Sequence, residues 1–166
     1  MLSEPIKQFM RILCISLVIF LMPSCNGKKD DHGKHYFKTS LLTSSTLPVV
    51  NIPTAGDKST KYIVDTGCGK TIIDRKFYRE HPNHFKIVDK IKFNAFTANG
   101  ILVDSAYVAE SMIDSLSVMV VIMDIDDLKR NTYTSTGQIV NGIIGSDYMS
   151  QHDAVIDFKE KTFTIK

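Results

Sequence analysis

The 166-residue sequence predicts a mainly β fold, either a small closed β-barrel or a sandwich, with one or two short helices. Three observations carry this. About eight runs of strand length, apolar or alternating, are separated by turn residues. Only two short segments, 75–80 and 146–151, read as helix. No repeat at solenoid spacing appears. Composition agrees with one compact core: 43% hydrophobic and 23% charged, with nine Gly and five Pro. The formal net charge of +2 carries no basic excess, so nucleic-acid binding has no electrostatic support.

The first element is a targeting segment. Lys7 and Arg11 precede an apolar run at residues 12–22, 11 residues long, which fits a signal-peptide core better than a membrane span. Met22-Pro23-Ser24-Cys25-Asn26 resembles the lipobox of bacterial lipoproteins, whose Cys is acylated. The resemblance implies a lipoprotein signal peptide at 1–24, lipidation at Cys25 and a lipid anchor in the cell envelope. Lys28-Lys29-Asp30-Asp31 resembles the charged tag that sends some lipoproteins of Gram-negative bacteria to the outer surface of the outer membrane. Residues 25–40 read as a polar tether and 41–166 as the domain. Cys68 is then the one Cys left in the domain, so packing rather than a disulfide must stabilise it.

Within the domain, residues 47–52 read as a strand, 54–58 as a turn and 61–65 as the returning strand. Residues 71–73 are short and apolar. Asp74 is placed to cap a helix over 75–80 that stops near Pro82. Residues 90–96 alternate polar and apolar, Ala98-Asn99-Gly100 supplies a hairpin turn, and 101–103 begin the partner strand. The apolar run 118–123 reads as a strand buried on both faces. Residues 126–138, rich in Thr and Ser, read as a loop. Residues 154–158 and 162–165 form a last hairpin around Lys159-Glu160-Lys161.

The chemistry-bearing stretch is Val64-Asp65-Thr66-Gly67. An apolar strand delivers one carboxylate to a turn made of a small hydroxyl residue and a glycine, an arrangement suited to hydrolysis by an activated water. Three residues alone are a weak signal. About 75 residues later comes Asn141-Gly142-Ile143-Ile144-Gly145-Ser146-Asp147-Tyr148-Met149, which strengthens it.

Together the hairpin into Asp65-Thr66-Gly67, the mid-chain hairpin, and Ile143-Ile144-Gly145 opening a short helix resemble the retropepsin-like aspartic proteases. The similarity covers roughly residues 45–166 and implies the closed barrel of that family. It implies Asp65 as the catalytic aspartate, with Thr66 and Gly67 supporting the loop and Ile143, Ile144 and Gly145 packed beside it. It also implies a flap at Phe96, Thr97, Ala98, Asn99 and Gly100 that closes over an extended peptide. The chemistry needs two carboxylates a few ångströms apart, and like charges so close cannot both ionise cheaply, so the pair holds one proton. The chain supplies one such Asp. Asp104-Ser105-Ala106 lies only 39 residues on and lacks the glycine, so the resemblance implies a symmetric homodimer acting on peptide or protein substrates. It implies no metal and no cofactor. Cys68 stands where the family usually has Ala or Ser, and Gly69-Lys70 where viral members are often acidic.

Other readings are weaker. Gly69-Lys70-Thr71 ends like a P-loop, but Val64 stands where such a loop needs its first Gly. Cys68 has no His near it in sequence and reads as a small buried thiol rather than a nucleophile. His32 and His35 lack partners that would complete a metal site, and His81, His84 and His152 show no metal spacing. The alternative from a different class is an envelope lipoprotein that keeps the fold as an inactive peptide-binding or structural module.

Overall fold

The computed structural model describes residues 28–29, 35–42, 47–97 and 100–166. The signal segment, Cys25, and Ala98 and Asn99 of the expected flap turn lie outside the described residues. In chain order the elements are β1 (Lys28–Lys29), β2 (His35–Ser40), β3 (Val49–Asn51), β4 (Lys61–Val64), β5 (Ile72–Asp74) and α1 (Arg75–Glu80). A 3₁₀ turn at Pro82–His84 leads into β6 (Lys86–Thr97), β7 (Gly100–Ile113) and β8 (Leu116–Met123). Then follow α2 (Asp126–Thr136), β9 (Gly142–Ile144), α3 (Ser146–Gln151), β10 (Val155–Asp157) and β11 (Thr162–Ile165).

The fold is mainly β, as expected. Its strands form a seven-stranded sheet in the order β3-β4-β9-β5-β8-β7-β6 and a four-stranded sheet in the order β1-β2-β11-β10. The two share a core in which Phe37 and Phe163 meet Tyr62, Val64, Ile144 and Tyr148. Among the described residues they do not close into the single barrel expected from sequence, because the outer strands of one sheet make no ladder with those of the other.

Two other boundaries differ from expectation. Residues 35–40 fall in the stretch read as tether, yet β2 pairs antiparallel with β11, from Phe37↔Ile165 to Ser40↔Thr162. Phe37 and Thr39 are buried while Lys38 and Ser40 face solvent, the period-2 alternation of a half-buried strand. The stretch read as a Thr- and Ser-rich loop contains α2. Asp126 and Asp127 sit in its first turn, where carboxylates favour the helix dipole, and Gly137 ends it at φ 70°.

Elsewhere the local signals hold. Asp74 caps α1, its carboxylate accepting from the Lys76 backbone N–H at 3.4 Å. The same carboxylate, 3% exposed, accepts from the Lys129 ammonium on α2, itself 17% exposed. Burial alone would lower the Lys129 pKa. The hydrogen bond and charge of Asp74, with Asp126 adding, outweigh this and hold it above the usual lysine range. The mid-chain hairpin runs longer than expected, with β6 and β7 in register from Lys86↔Glu110 to Thr97↔Gly100 around a bulge near Ile87. Deep in the core the Tyr62 hydroxyl donates to Thr54 Oγ1 at 2.8 Å, and the Tyr148 hydroxyl donates to the Ile113 carbonyl at 3.2 Å. Burial raises the pKa of both phenols.

Two outcomes follow. Phe37→Ala should lower unfolding stability by about 3–5 kcal/mol in urea titration, whereas a residue in a solvated tether would give almost no change. Asp74→Ala should cost about 2–4 kcal/mol, because it removes a helix cap and leaves Lys129 without its buried partner. Asp74→Asn should cost less, since the amide oxygen still caps.

Candidate functional site

β9 lies between β4 and β5. It runs parallel to β4, with Ile63↔Ile143 and Val64↔Ile144, and antiparallel to β5, with Ile72↔Ile143. The chain leaving β4 must therefore cross the end of β9 before it can enter β5. That crossing is residues 65–71, the Asp-Thr-Gly loop.

Each contact in the crossing follows from this topology. The Asp65 N–H donates to the Ile144 carbonyl at 3.0 Å, extending the β4–β9 ladder to the aspartate itself. The loop then turns, with the Gly67 N–H donating to Asp65 Oδ1 at 2.9 Å and the Cys68 N–H donating to the Asp65 carbonyl at 3.1 Å. This Asx-type turn presets the carboxylate's direction. Asp65, Thr66 and Gly67 are all exposed.

Gly145 lies where the loop crosses over. A Cβ there would stand 2.5 Å from the Lys70 carbonyl carbon and 2.9 Å from the Cys68 oxygen. At the start of β9, a Cβ on Gly142 would stand 2.2 Å from the Ile72 oxygen. Both glycines are needed for close backbone approach rather than for unusual dihedrals. Beyond Gly145, the Ser146 N–H and hydroxyl both donate to the Cys68 carbonyl, at 2.8 and 3.1 Å, which ties α3 to the loop. The buried Thr71 hydroxyl donates to Asp147 Oδ1 at 2.8 Å and accepts from the Gly145 N–H at 3.2 Å.

No family model and no curated protein matches the chain. Among solved structures it is similar to the retroviral protease-like domain of Ddi1 from Leishmania major. That likeness has 16% identity over 74% of this chain and 88% of that one, with a TM-score of 0.41. It is also similar to a retropepsin-like aspartic protease from Rickettsia conorii, at 12% identity over 87% of this chain and 96% of that one, with a TM-score of 0.47. The chain is similar to retropepsin-like aspartic protease domains.

The structure thus brings together Asp65, Thr66, Gly67, Ile143, Ile144 and Gly145 in one crossing. The expected flap residues Phe96, Thr97 and Gly100 stand at the far end of the β6–β7 hairpin, in strand positions paired as Phe96↔Ile101 and Thr97↔Gly100. Asp104 lies within that hairpin, opposite Phe93. Cys68 is half-buried, and its thiol donates to the Lys70 carbonyl at 3.1 Å. Burial pushes its pKa up, and the charges of Asp65 and Asp147 push it further, against the bond to Lys70. Burial thus disfavours the thiolate, the form that a nucleophile needs. Among the described residues no three His, Cys, Asp or Glu side chains gather as a metal site requires.

The sequence places Gly142 and Asp147 in the second motif without giving either a role, and gives Thr71 none. The Gly142-x-x-Gly145 spacing was a usable signal, since two glycines bracketing a short apolar run mark close backbone approach. Nothing local marks Thr71 and Asp147 as partners, because they are 76 residues apart.

Gly145→Ala should displace the loop and cost about 1–3 kcal/mol in chemical denaturation. Gly69→Ala, where a Cβ meets nothing within 4 Å, should leave the midpoint almost unchanged.

Proposed function

We propose that the chain is an aspartic endopeptidase that works as a homodimer, with Asp65 of each copy contributing one carboxylate to a shared water. The observation that supports this is the placement of Asp65 itself. It is an exposed carboxylate at the end of β4, aimed by the Gly67 N–H and held by the bond from its own backbone N–H to the Ile144 carbonyl. Hydrolysis of an amide needs such a preset acceptor for a proton of water, and it needs a second group to polarise the carbonyl.

In the dimer the ionised carboxylate takes a proton as water attacks the peptide carbonyl, and the protonated one donates to the carbonyl oxygen. The tetrahedral intermediate collapses as the amine leaves with the proton held by the first carboxylate, while a hydroxyl of the intermediate returns its proton to the second, so the pair again holds one proton. The two acids act as one coupled unit, so acidity and basicity belong to the pair. Thr66 and Gly67 of each copy form the contact between loops. The β6–β7 hairpin, whose strands run to Thr97 and from Gly100, covers an extended peptide and limits water. The small closed barrel of the retropepsin-like family belongs to the same reading. A lipid at Cys25 would hold this unit at the envelope membrane.

The test is cleavage of a mixed peptide library by the full chain, with and without pepstatin, beside Asp65→Asn. The substitution keeps an oxygen for the Gly67 N–H but removes the charge. Cleavage should fall by at least about 10³-fold while the circular dichroism spectrum is unchanged. Cleavage that survives Asp65→Asn would mean that the water is activated elsewhere. Selective peptide binding without turnover would instead favour a binding module.

A further inference from the structure

We propose that the domain lies directly against a lipid bilayer, and that it docks there through the end of the four-stranded sheet that carries Leu42 and the 158–161 turn. The inference rests on the reading above that Cys25 carries a lipid, and it adds the face that meets the membrane. Three observations lead to it.

The first is the length of chain available. β2 is a strand of the sheet rather than tether, and β1 pairs with it through Lys28↔Tyr36 and Lys29↔His35. Only residues 26 and 27 then separate Cys25 from the sheet. Fully extended, the chain from Cys25 to Lys28 spans at most about 11 Å. A lipid at Cys25 therefore cannot hold the domain clear of the headgroups.

The second is direction. β1 runs antiparallel to β2, so its N-terminal end points the way β2 ends, toward Ser40. β2 is in turn antiparallel to β11, with Ser40 opposite Thr162, and the Leu41 N–H donates to the Lys161 carbonyl at 2.9 Å. The turn at 158–161 thus stands at the end of the sheet toward which β1 points back. β11 lies two strand spacings, about 10 Å, from β1.

The third is what that end presents. Phe158 is 63% exposed and Leu42 is 40% exposed. Lys159 and Lys161, in the same turn as Phe158, are exposed with Glu160 between them. The Asp157 carboxylate is engaged within the turn, accepting from the Glu160 N–H at 2.8 Å. An aromatic ring beside lysines suits the bilayer boundary, where the ring enters and the ammonium groups stay with the phosphates. Because the anchor makes the contact intramolecular, a weak affinity is enough to keep it made.

The chain has no Trp, so one introduced indole reports alone. Phe158→Trp places it in the proposed face. Met112→Trp is the comparison: Met112, 56% exposed, pairs with Ser117, whose carbonyl accepts from the Gln151 amide at 3.4 Å. The next residue, His152, accepts from the Lys166 N–H at 3.2 Å, beyond the opposite end of β11. The full-length chain is expressed in a Gram-negative host, and the purified protein is inserted into vesicles of phosphatidylethanolamine and phosphatidylglycerol. Mass spectrometry records acylation of Cys25, and indole emission is read with and without lipids brominated on their acyl chains. Cys25 should be acylated and the circular dichroism spectra unchanged. The indole of Phe158→Trp should emit at shorter wavelength and be quenched most by bromines near the headgroups, since such contacts enter only about 5–10 Å. The indole of Met112→Trp should not be quenched. An acylated chain whose Phe158→Trp indole stays unquenched overturns the docking face and leaves the anchor standing. Equal quenching of both variants overturns the choice of this end. A chain without lipid at Cys25 overturns the anchor and this inference together, and leaves the Asp65 chemistry untouched.

Discussion

The constraint on which the rest depends is the insertion of β9 between β4 and β5. A chain that must leave one strand and enter another, with a third between them, has to climb over the end of the intervening strand. The loop that makes this crossing is raised to the surface by topology alone. Backbone hydrogen bonds from Asp65 to Ile144 and from Ser146 to Cys68 stitch it to what lies below. Glycine at 145 lets the crossing lie close, and glycine at 142 lets the three strands pack at their other end. The carboxylate is thereby held by ladder geometry rather than by a mobile loop, which is how a rigid site is obtained from short segments.

The region beside this crossing is steadied by a second device. α2 enters between β8 and β9 and is pinned by the Lys129–Asp74 pair, one end of which also caps α1. Leu128 on the same helix touches both satellite clusters, one around Ile72 and Ile143 and the other around Val49 and Ile63. A polar helix thus seals two small apolar patches that flank the central strands. A buried ion pair is a poor general stabiliser, but here it joins two helices to one strand end, and its value lies in fixing their placement.

Much of this was legible in the residues. The Asp74 cap, the hairpin ending in Lys61–Val64, the short helix after Gly145 and the last hairpin all follow from local rules of turn and cap chemistry. What was missed shares one cause, dependence on distant partners. Residues 35–40 look like linker until Phe37 meets Ile165, and α2 looks like loop until Lys129 finds Asp74. The Thr71–Asp147 bond joins residues that no local window contains. Sheet closure likewise depends on strand edges, which periodicity does not encode.

Tyr62 and Tyr148 carry a consequence for life in alkaline surroundings. Each keeps its hydroxyl inside the core, on Thr54 and on the Ile113 carbonyl, and burial raises the pKa of both. Below about pH 10 folded and unfolded chains alike carry neutral phenols, so neither residue affects the balance. Above that, only the opened chain can shed those protons, and each step in pH then favours opening. The two buried phenols thus make the domain progressively less stable as the medium grows more basic, each through a proton that the folded core retains more tightly.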